Sequence, residues 1–310
     1  MDWSKQRIAV LYGGPSAERE VSLRSGEAMH QALLRRGYNA VAIDVDRHIA
    51  AHLQKNQITA AVLALHGELG EDGAIQGLLE LMGIPYSGSN VSASALCMDK
   101  GLSKRLYRSE GLPTPAWIEL AGDAEEADDL VDHYLGEFPG DAFVKPLDCG
   151  SSVGISHCPD KDALIRGVAK ALSVSRRVMV ERAIHGRELT LTMIDGETLP
   201  IIEIKPKKGF YDYTNKYTPD QTEYEVPAKN LAQDAQEAVT QVGLAAYHLS
   251  GCRGLARADF MLDDEGTPWL LELNTIPGMT ETSLAPKAAA AAGMDFDDLV
   301  ERILQGARLR

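Results

Sequence analysis

The chain has 310 residues, 45% of them hydrophobic and 25% charged, with a formal net charge of -14. That composition supports a substantial core and two or three domains and excludes wholesale disorder, while the acidic field disfavours nucleic acid and anionic membranes as partners. No apolar run reaches the roughly 18–20 residues of a membrane span, the start lacks the apolar stretch of a signal peptide, and four cysteines without a CxxC pair fit a reducing, cytoplasmic setting.

The first third alternates short apolar runs with helical periodicity. Residues 8–12 read as a strand stopped by Gly13-Gly14-Pro15, a helix is expected over 22–36 with Gly37 at its C′ position, and 41–45 and 60–65 repeat the strand signal. Strands alternating with helices imply a parallel sheet, with loops 13–18 and 66–73 at its carboxyl edge. A dinucleotide-binding fold is the obvious rival. Gly13-Gly14-Pro15-Ser16 does not supply its G-x-G-x-x-G fingerprint, and G-x-x-x-x-G-K-[ST] occurs nowhere.

From about Ser94 the character changes. Residues 98–111 read as one helix carrying four basic residues, followed by the turn Leu112-Pro113-Thr114-Pro115, an acidic helix over 123–135 and a strand over 143–145. A glycine- and serine-rich loop (146–154) and a strand (178–181) come next, then mostly paired strands, a long loop at 205–217, and helices over 232–249 and 296–305. Three units are expected, at 1–96, 97–184 and 185–310. His48 and His52 lie four apart on a helical stretch, but with no third ligand nearby they read as a solvated face rather than a zinc pair.

The chemistry concentrates near the end. Gly254-Leu-Ala-Arg257-Ala-Asp259-Phe-Met-Leu262, a turn, and Trp269-Leu-Leu-Glu272-Leu-Asn274 read as a hairpin. Alternation puts Arg257 and Asp259 on one side of the first strand and Glu272 and Asn274 on one side of the second. The opposite sides are apolar, with Phe260 and Leu262 facing Trp269, Leu271 and Leu273. If the polar sides coincide, two carboxylates and an amide meet beside an arginine, an all-oxygen set suited to Mg²⁺. Spacing alone leaves a salt-bridged, solvent-facing hairpin equally open. The Pro/Gly-set loop Thr275-Ile276-Pro277-Gly278-Met279-Thr280 favours the metal, since its backbone N–H groups could meet an anion.

Together these stretches resemble the ATP-grasp superfamily and, within it, the D-alanine–D-alanine ligase family, over nearly the whole chain. The resemblance rests on Gly13 to Ser22 (GGPSAEREVS), His66-Gly67 with Gly70-Glu71-Asp72-Gly73, Met98-Asp99-Lys100, Val144-Lys145-Pro146 and Gly150-Ser151-Ser152-Val153-Gly154. It continues through Phe210-Tyr211-Asp212-Tyr213, Lys216-Tyr217, Arg257-Ala258-Asp259 and Glu272 to Thr280. Each stretch is weak alone; their order and spacing are specific.

The resemblance implies an ATP-grasp fold, α/β and α+β, with an N-terminal parallel-sheet domain and two further domains clasping ATP. The implied reaction joins two D-alanines through an acyl phosphate, for peptidoglycan precursor synthesis, with two Mg²⁺ or Mn²⁺ ions held by Asp259, Glu272 and Asn274. Implied nucleotide contacts are Lys100, Lys145, Ser151, Ser152, Glu181, Ala183, Ile184, Glu188 and Lys216. On the substrate side, Glu18 would hold the first ammonium and be tied to Ser151 and Tyr217. Arg257 and the Gly278 N–H would face the acyl centre, Ser283 and Leu284 would receive the second carboxylate, and His66 would orient a substrate. Tyr217 goes with dipeptide formation, since relatives that use D-lactate commonly carry phenylalanine there. Relatives are commonly homodimers. Cys149, beside the phosphate loop, is expected to be incidental to the chemistry.

Overall fold

The computed structural model describes residues 2–134, 140–147, 154–207 and 221–310. In chain order, β1 (Ile8–Tyr12), α1 (Arg19–Arg35), β2 (Ala40–Asp44), α2 (Ile49–Lys55), β3 (Ala60–Leu63) and α3 (Ala74–Met82) build a parallel sheet of order β2-β1-β3. Next, α4 (Val91–Met98) and α5 (Lys100–Ser109) lead into β4 (Trp117–Ala121), α6 (Ala127–Tyr134), β5 (Ala142–Pro146), β6 (Ser156–Cys158), α7 (Lys161–Leu172) and β7 (Arg177–Arg182). These four strands form a second, antiparallel sheet of order β4-β7-β5-β6. The third sheet follows from β8 (Arg187–Ile194), β9 (Glu197–Thr198), β10 (Ile202–Pro206), β11 (Thr222–Glu225), α8 (Gln233–Leu249), β12 (Leu255–Leu262) and β13 (Pro268–Asn274), in the order β11-β10-β8-β12-β13, with β9 on β8. Two helices close the chain, α9 (Leu284–Ala291) and α10 (Phe296–Gln305). No helix among the described residues is long and apolar enough to cross a membrane.

Burial explains the layers. In the parallel sheet Ile8, Val10, Ala60 and Val62 pack with Met29 and Leu33 of α1 and with Leu299, Val300 and Leu304 of α10, so the end of the chain covers the first sheet. Alternate residues Ala9, Leu11, Ala61 and Leu63 pack on the other side with Leu53 of α2 and Leu79 of α3. Each antiparallel sheet has an apolar face under helices. Leu120, Val144, Val178 and Val180 lie beneath α6 and α7. Leu189, Leu191, Ala258, Phe260, Leu270 and Leu273 lie beneath Val239, Ala246 and Tyr247 of α8. The faces left over carry Lys145 and Glu181 on one sheet and Glu188, Arg257 and Asp259 on the other.

Three local expectations change. The first helix begins at Arg19 rather than near Ser22, with Glu18 as its N-cap residue. The basic stretch 98–111 is not one helix: α4 ends at Met98, Asp99 turns extended (φ -82°, ψ 100°), and its carboxylate accepts from the Leu102 N–H at 2.9 Å to start α5. The acidic stretch opens with a 3-10 turn at Ala124–Glu126 before α6. Gly37 follows α1 in the left-handed region, at φ 79°, as expected of a C′ glycine.

Phe260 is fully buried between the third sheet and α8. Phe260→Ala is expected to cost about 3–5 kcal/mol, read as a lower midpoint in urea unfolding with little change in slope.

Candidate functional site

The site begins with the register of the third sheet. Across β12 and β13 Arg257 faces Asn274, Asp259 faces Glu272 and Met261 faces Trp269, while on the other flank β8 sets Thr192, Thr190 and Glu188 beside Arg257, Asp259 and Met261. The polar sides of the hairpin therefore coincide. A β-bulge between Asp259 and Phe260 corrects the expected apolar face: Leu270 is the buried partner of Phe260, and Trp269 and Leu271 are only half-buried. One extra residue on β13 interrupts strict alternation and turns Trp269 to the polar side.

Asp259 is the hub of that face. Arg257 forks onto it, Nε to Oδ1 at 2.7 Å and Nη2 to Oδ2 at 2.6 Å, Thr190 donates to Oδ1 at 2.7 Å, and Asn274 Nδ2 donates to Oδ2 at 3.1 Å. Glu272 pairs with Lys100 Nζ at 3.3 Å, bringing the start of α5 to the cluster. Along the same face Glu188 is pushed up to about 8, first by burial and then by Asp259 and Glu272, with Lys145 and Arg257 pulling the other way.

The second sheet supplies a buried charge cluster. Glu181 of β7 is only 2% exposed and is gripped by two ammoniums, Lys145 Nζ on Oε1 and Lys104 Nζ 2.7 Å from Oε2. Burial alone would raise the Glu181 carboxyl; the two lysines outweigh it and hold the group below the ordinary carboxylate range. Lys104 donates to Thr114 Oγ1 at 2.5 Å, and Thr114 donates to the Leu270 carbonyl at 2.9 Å, so this cluster is tied directly to β13. Ala183 and Ile184 follow β7, and Ile184 lines a cavity of about 200 Å³ with Arg108, Thr114, Ala116, Arg182 and Trp269.

A third group gathers at the carboxyl edge of the parallel sheet. Glu18 is buried beside Gly67, and Ser16 Oγ donates to the His66 carbonyl at 2.6 Å. His66 Nε2 lies 3.5 Å from Ser25 Oγ, which accepts from the Met279 N–H at 3.2 Å. Ser283 caps the neighbouring turn, its Oγ accepting from the Thr280 N–H at 3.0 Å and lying 2.8 Å from Thr280 Oγ1. A Cβ on Gly278 would lie 3.0 Å from that Ser283 oxygen, so a side chain here would have to push Ser283 aside. Leu284 opens α9 with its side chain in the core.

Thus Glu18, His66, Gly278 and Ser283 gather in one group, and Arg257, Asp259, Glu272, Asn274 and Lys100 in another. Lys145 and Glu181 meet in the charge cluster, and Lys145 also acts on Glu188. Ser151, Ser152, Lys216, Tyr217 and Cys149 lie outside the described residues. Thr190 and Lys104 escaped the sequence reading. Each had a signal, since Thr190 alternates with Glu188 and Thr192, and Lys104 shares the buried helical face of Gly101 and Tyr107. His48 caps α2 and His52 pairs with Asp46 at 3.7 Å; no group of three or more His, Cys, Asp or Glu side chains able to hold a metal occurs among the described residues.

Comparison with known proteins gives one family. The model of the D-ala D-ala ligase C-terminus matches residues 106–305 and that of the N-terminus residues 48–89. A D-alanine–D-alanine ligase of Magnetococcus marinus is 71% identical over the full length of both chains. That of Syntrophotalea carbinolica is 49% identical over 99% of this chain and 97% of its own. A crystal structure of the Bacillus anthracis D-alanine–D-alanine ligase complexed with ATP superposes with a TM-score of 0.84 at 38% identity, covering 97% of each chain.

Gly67 has φ +70°, and a Cβ there would lie 3.0 Å from Glu18 Oε2 and 3.2 Å from the Ser16 side chain. Gly67→Ala is therefore expected to cost about 1–2 kcal/mol from backbone strain alone, visible as a lowered Tm, while an unchanged Tm would contradict this account of the loop.

Proposed function

The chain belongs to the D-alanine–D-alanine ligase family, and on that premise we propose that it joins two D-alanine molecules to D-alanyl-D-alanine, converting ATP to ADP and phosphate, for peptidoglycan synthesis. The observation that carries this reading is the oxygen-rich row of Asp259, Glu272 and Asn274 beside Arg257, with Lys100 on Glu272 and Lys145 of the second sheet close enough to act on Glu188 along the same face. ATP fits between those two faces. Lys145 and Lys100 would meet its phosphates, Glu181 would accept from the adenine amino group, the Ala183–Ile184 backbone would flank the base, and Glu188 would hold the ribose. Ser151, Ser152 and Lys216 join this set through the family resemblance.

Two carboxylates and an amide oxygen on neighbouring cross-strand positions fit a hard divalent cation, and Asn274, which donates to Asp259 through its nitrogen, keeps its oxygen as a ligand. Mg²⁺ or Mn²⁺ ions held there would neutralise phosphate charge. The residues then do the rest. Glu18 holds the first D-alanine by its ammonium, with its carboxylate towards the γ-phosphate. A carboxylate oxygen bonds the γ-phosphorus as the bond to the β-phosphate oxygen breaks and ADP leaves. The amine of the second D-alanine attacks the resulting acyl phosphate, and phosphate departs as the amide forms. Arg257 and the Gly278 N–H face the oxygen on which charge develops. Ser283 and the N-terminus of α9 at Leu284 receive the second carboxylate, a charge that helix ends favour. His66, braced by Ser25, orients the substrates, and Tyr217 favours an amine over D-lactate as acceptor.

The division into 1–96, 97–184 and 185–310 belongs to the same proposal, with one sheet in each span. So do a cytoplasmic location and a homodimer.

Phosphate release from MgATP should require D-alanine, fail with L-alanine and stop on chelation of divalent metal, with D-alanyl-D-alanine as the product. Release without dipeptide, or efficient joining of D-lactate at neutral pH, contradicts the proposal. Asp259→Asn should lower kcat by about 100-fold or more, since a metal clamp supplies several kcal/mol of charge stabilisation; near-normal turnover would remove Asp259 from the metal set.

A further inference from the structure

Glu181 is held by two cations that differ in kind. Lys145 lies on β5, on the polar face of the second sheet, and keeps some exposure; Lys104 is fully buried on α5. Lys104 reaches past the sheet's own pairing, with its ammonium 2.7 Å from Glu181 Oε2, 2.5 Å from Thr114 Oγ1 and 5.2 Å from the centre of the Trp117 ring. Arg108, one turn further along α5, stacks at 4.0 Å on the same ring and adds positive charge behind it. Among the described residues the charged partners of Glu181 are Lys104 on the buried side and Lys145 on the polar face of the sheet.

We propose that Lys104 is a positioning residue that sets purine selectivity, keeping Glu181 ionised and therefore a pure hydrogen-bond acceptor for a 6-amino purine. The inference rests on the reading of Glu181 as the partner of the base. A phosphate that draws Lys145 away removes one of the two countercharges, and Lys104, whose side chain has no exposed surface, remains. Without it a carboxylate this buried takes up a proton. A protonated Glu181 presents an O–H, which suits the carbonyl of a 6-oxo purine and opposes the amino group of adenine. The buried lysine thus decides which face of the purine alphabet the carboxylate reads, although it touches no nucleotide atom itself.

The test compares ATP with inosine triphosphate as phosphoryl donor for D-alanine ligation. Lys104→Met is expected to raise KM for ATP at least tenfold, to reduce the ATP-over-inosine ratio of kcat/KM at least tenfold, and to leave KM for D-alanine within twofold. In a Glu181→Gln background, where no carboxylate needs a countercharge, Lys104→Met should leave the ratio unchanged. A wild-type ratio in Lys104→Met overturns the proposal, as does an equal loss in both backgrounds, which marks a purely structural lysine. If Lys104→Met alone does not fold, a folded Lys104→Met/Glu181→Gln double variant supports the charge coupling and an unfolded one overturns it. Wild-type protein that fails to join D-alanine with ATP would instead sink the functional reading.

Discussion

The site depends on the placement of one strand. β12 is paired along its whole length with β8 and, from Arg257 to Leu262 with one bulge, with β13, so its residues have no freedom to choose a face. Ala258, Phe260 and Leu262 are driven beneath α8 by burial, each large side chain contributing roughly 1.5–3 kcal/mol. Arg257 and Asp259 are on the opposite face as a consequence. A slip of one residue would put both charges into the apolar layer, and the cost of burying them unpaired is what forbids it. The hydrophobic pattern of the third sheet therefore does the work of aiming the polar residues.

Charges held this way need partners before any ligand arrives. The structure provides them internally: Arg257 on Asp259, Lys100 on Glu272, and Lys145 with Lys104 on Glu181. Asp259 and Glu181 each sit in a compact network in which the carboxylate is satisfied by several donors rather than by one exposed ion pair. A phosphate, a metal ion or an ammonium can exchange with these internal partners without leaving a bare buried charge. Glu188 is the carboxyl driven upward, because burial and the nearby charges of Asp259 and Glu272 outweigh the pull of Lys145 and Arg257.

Much of this was legible in the sequence. Period-two alternation located the hairpin and its polar side, Gly37 marked the end of α1, and the apolar runs marked the parallel strands. What escaped reading had physical reasons. The break at Asp99 is invisible to a periodicity count because α4 and α5 abut, and only the capping bond to Leu102 separates them. The bulge that leaves Leu271 half-buried and turns Trp269 to the polar side is a tertiary adjustment with no glycine to announce it. Lys104 looked like one of four basic residues on a helix, and its burial depends on a carboxylate 77 positions away and on Thr114. Ser151 and Tyr217, which the family pattern marks most clearly, lie outside the described residues.

The central claim is that the carboxylate of one amino acid is phosphorylated before an amine attacks it. Turnover of D-alanine labelled with ¹⁸O in its carboxylate, followed by mass analysis of the phosphate released, tests this most directly. The account predicts one ¹⁸O transferred to each phosphate formed with dipeptide. Phosphate free of label, released in step with dipeptide, would contradict it.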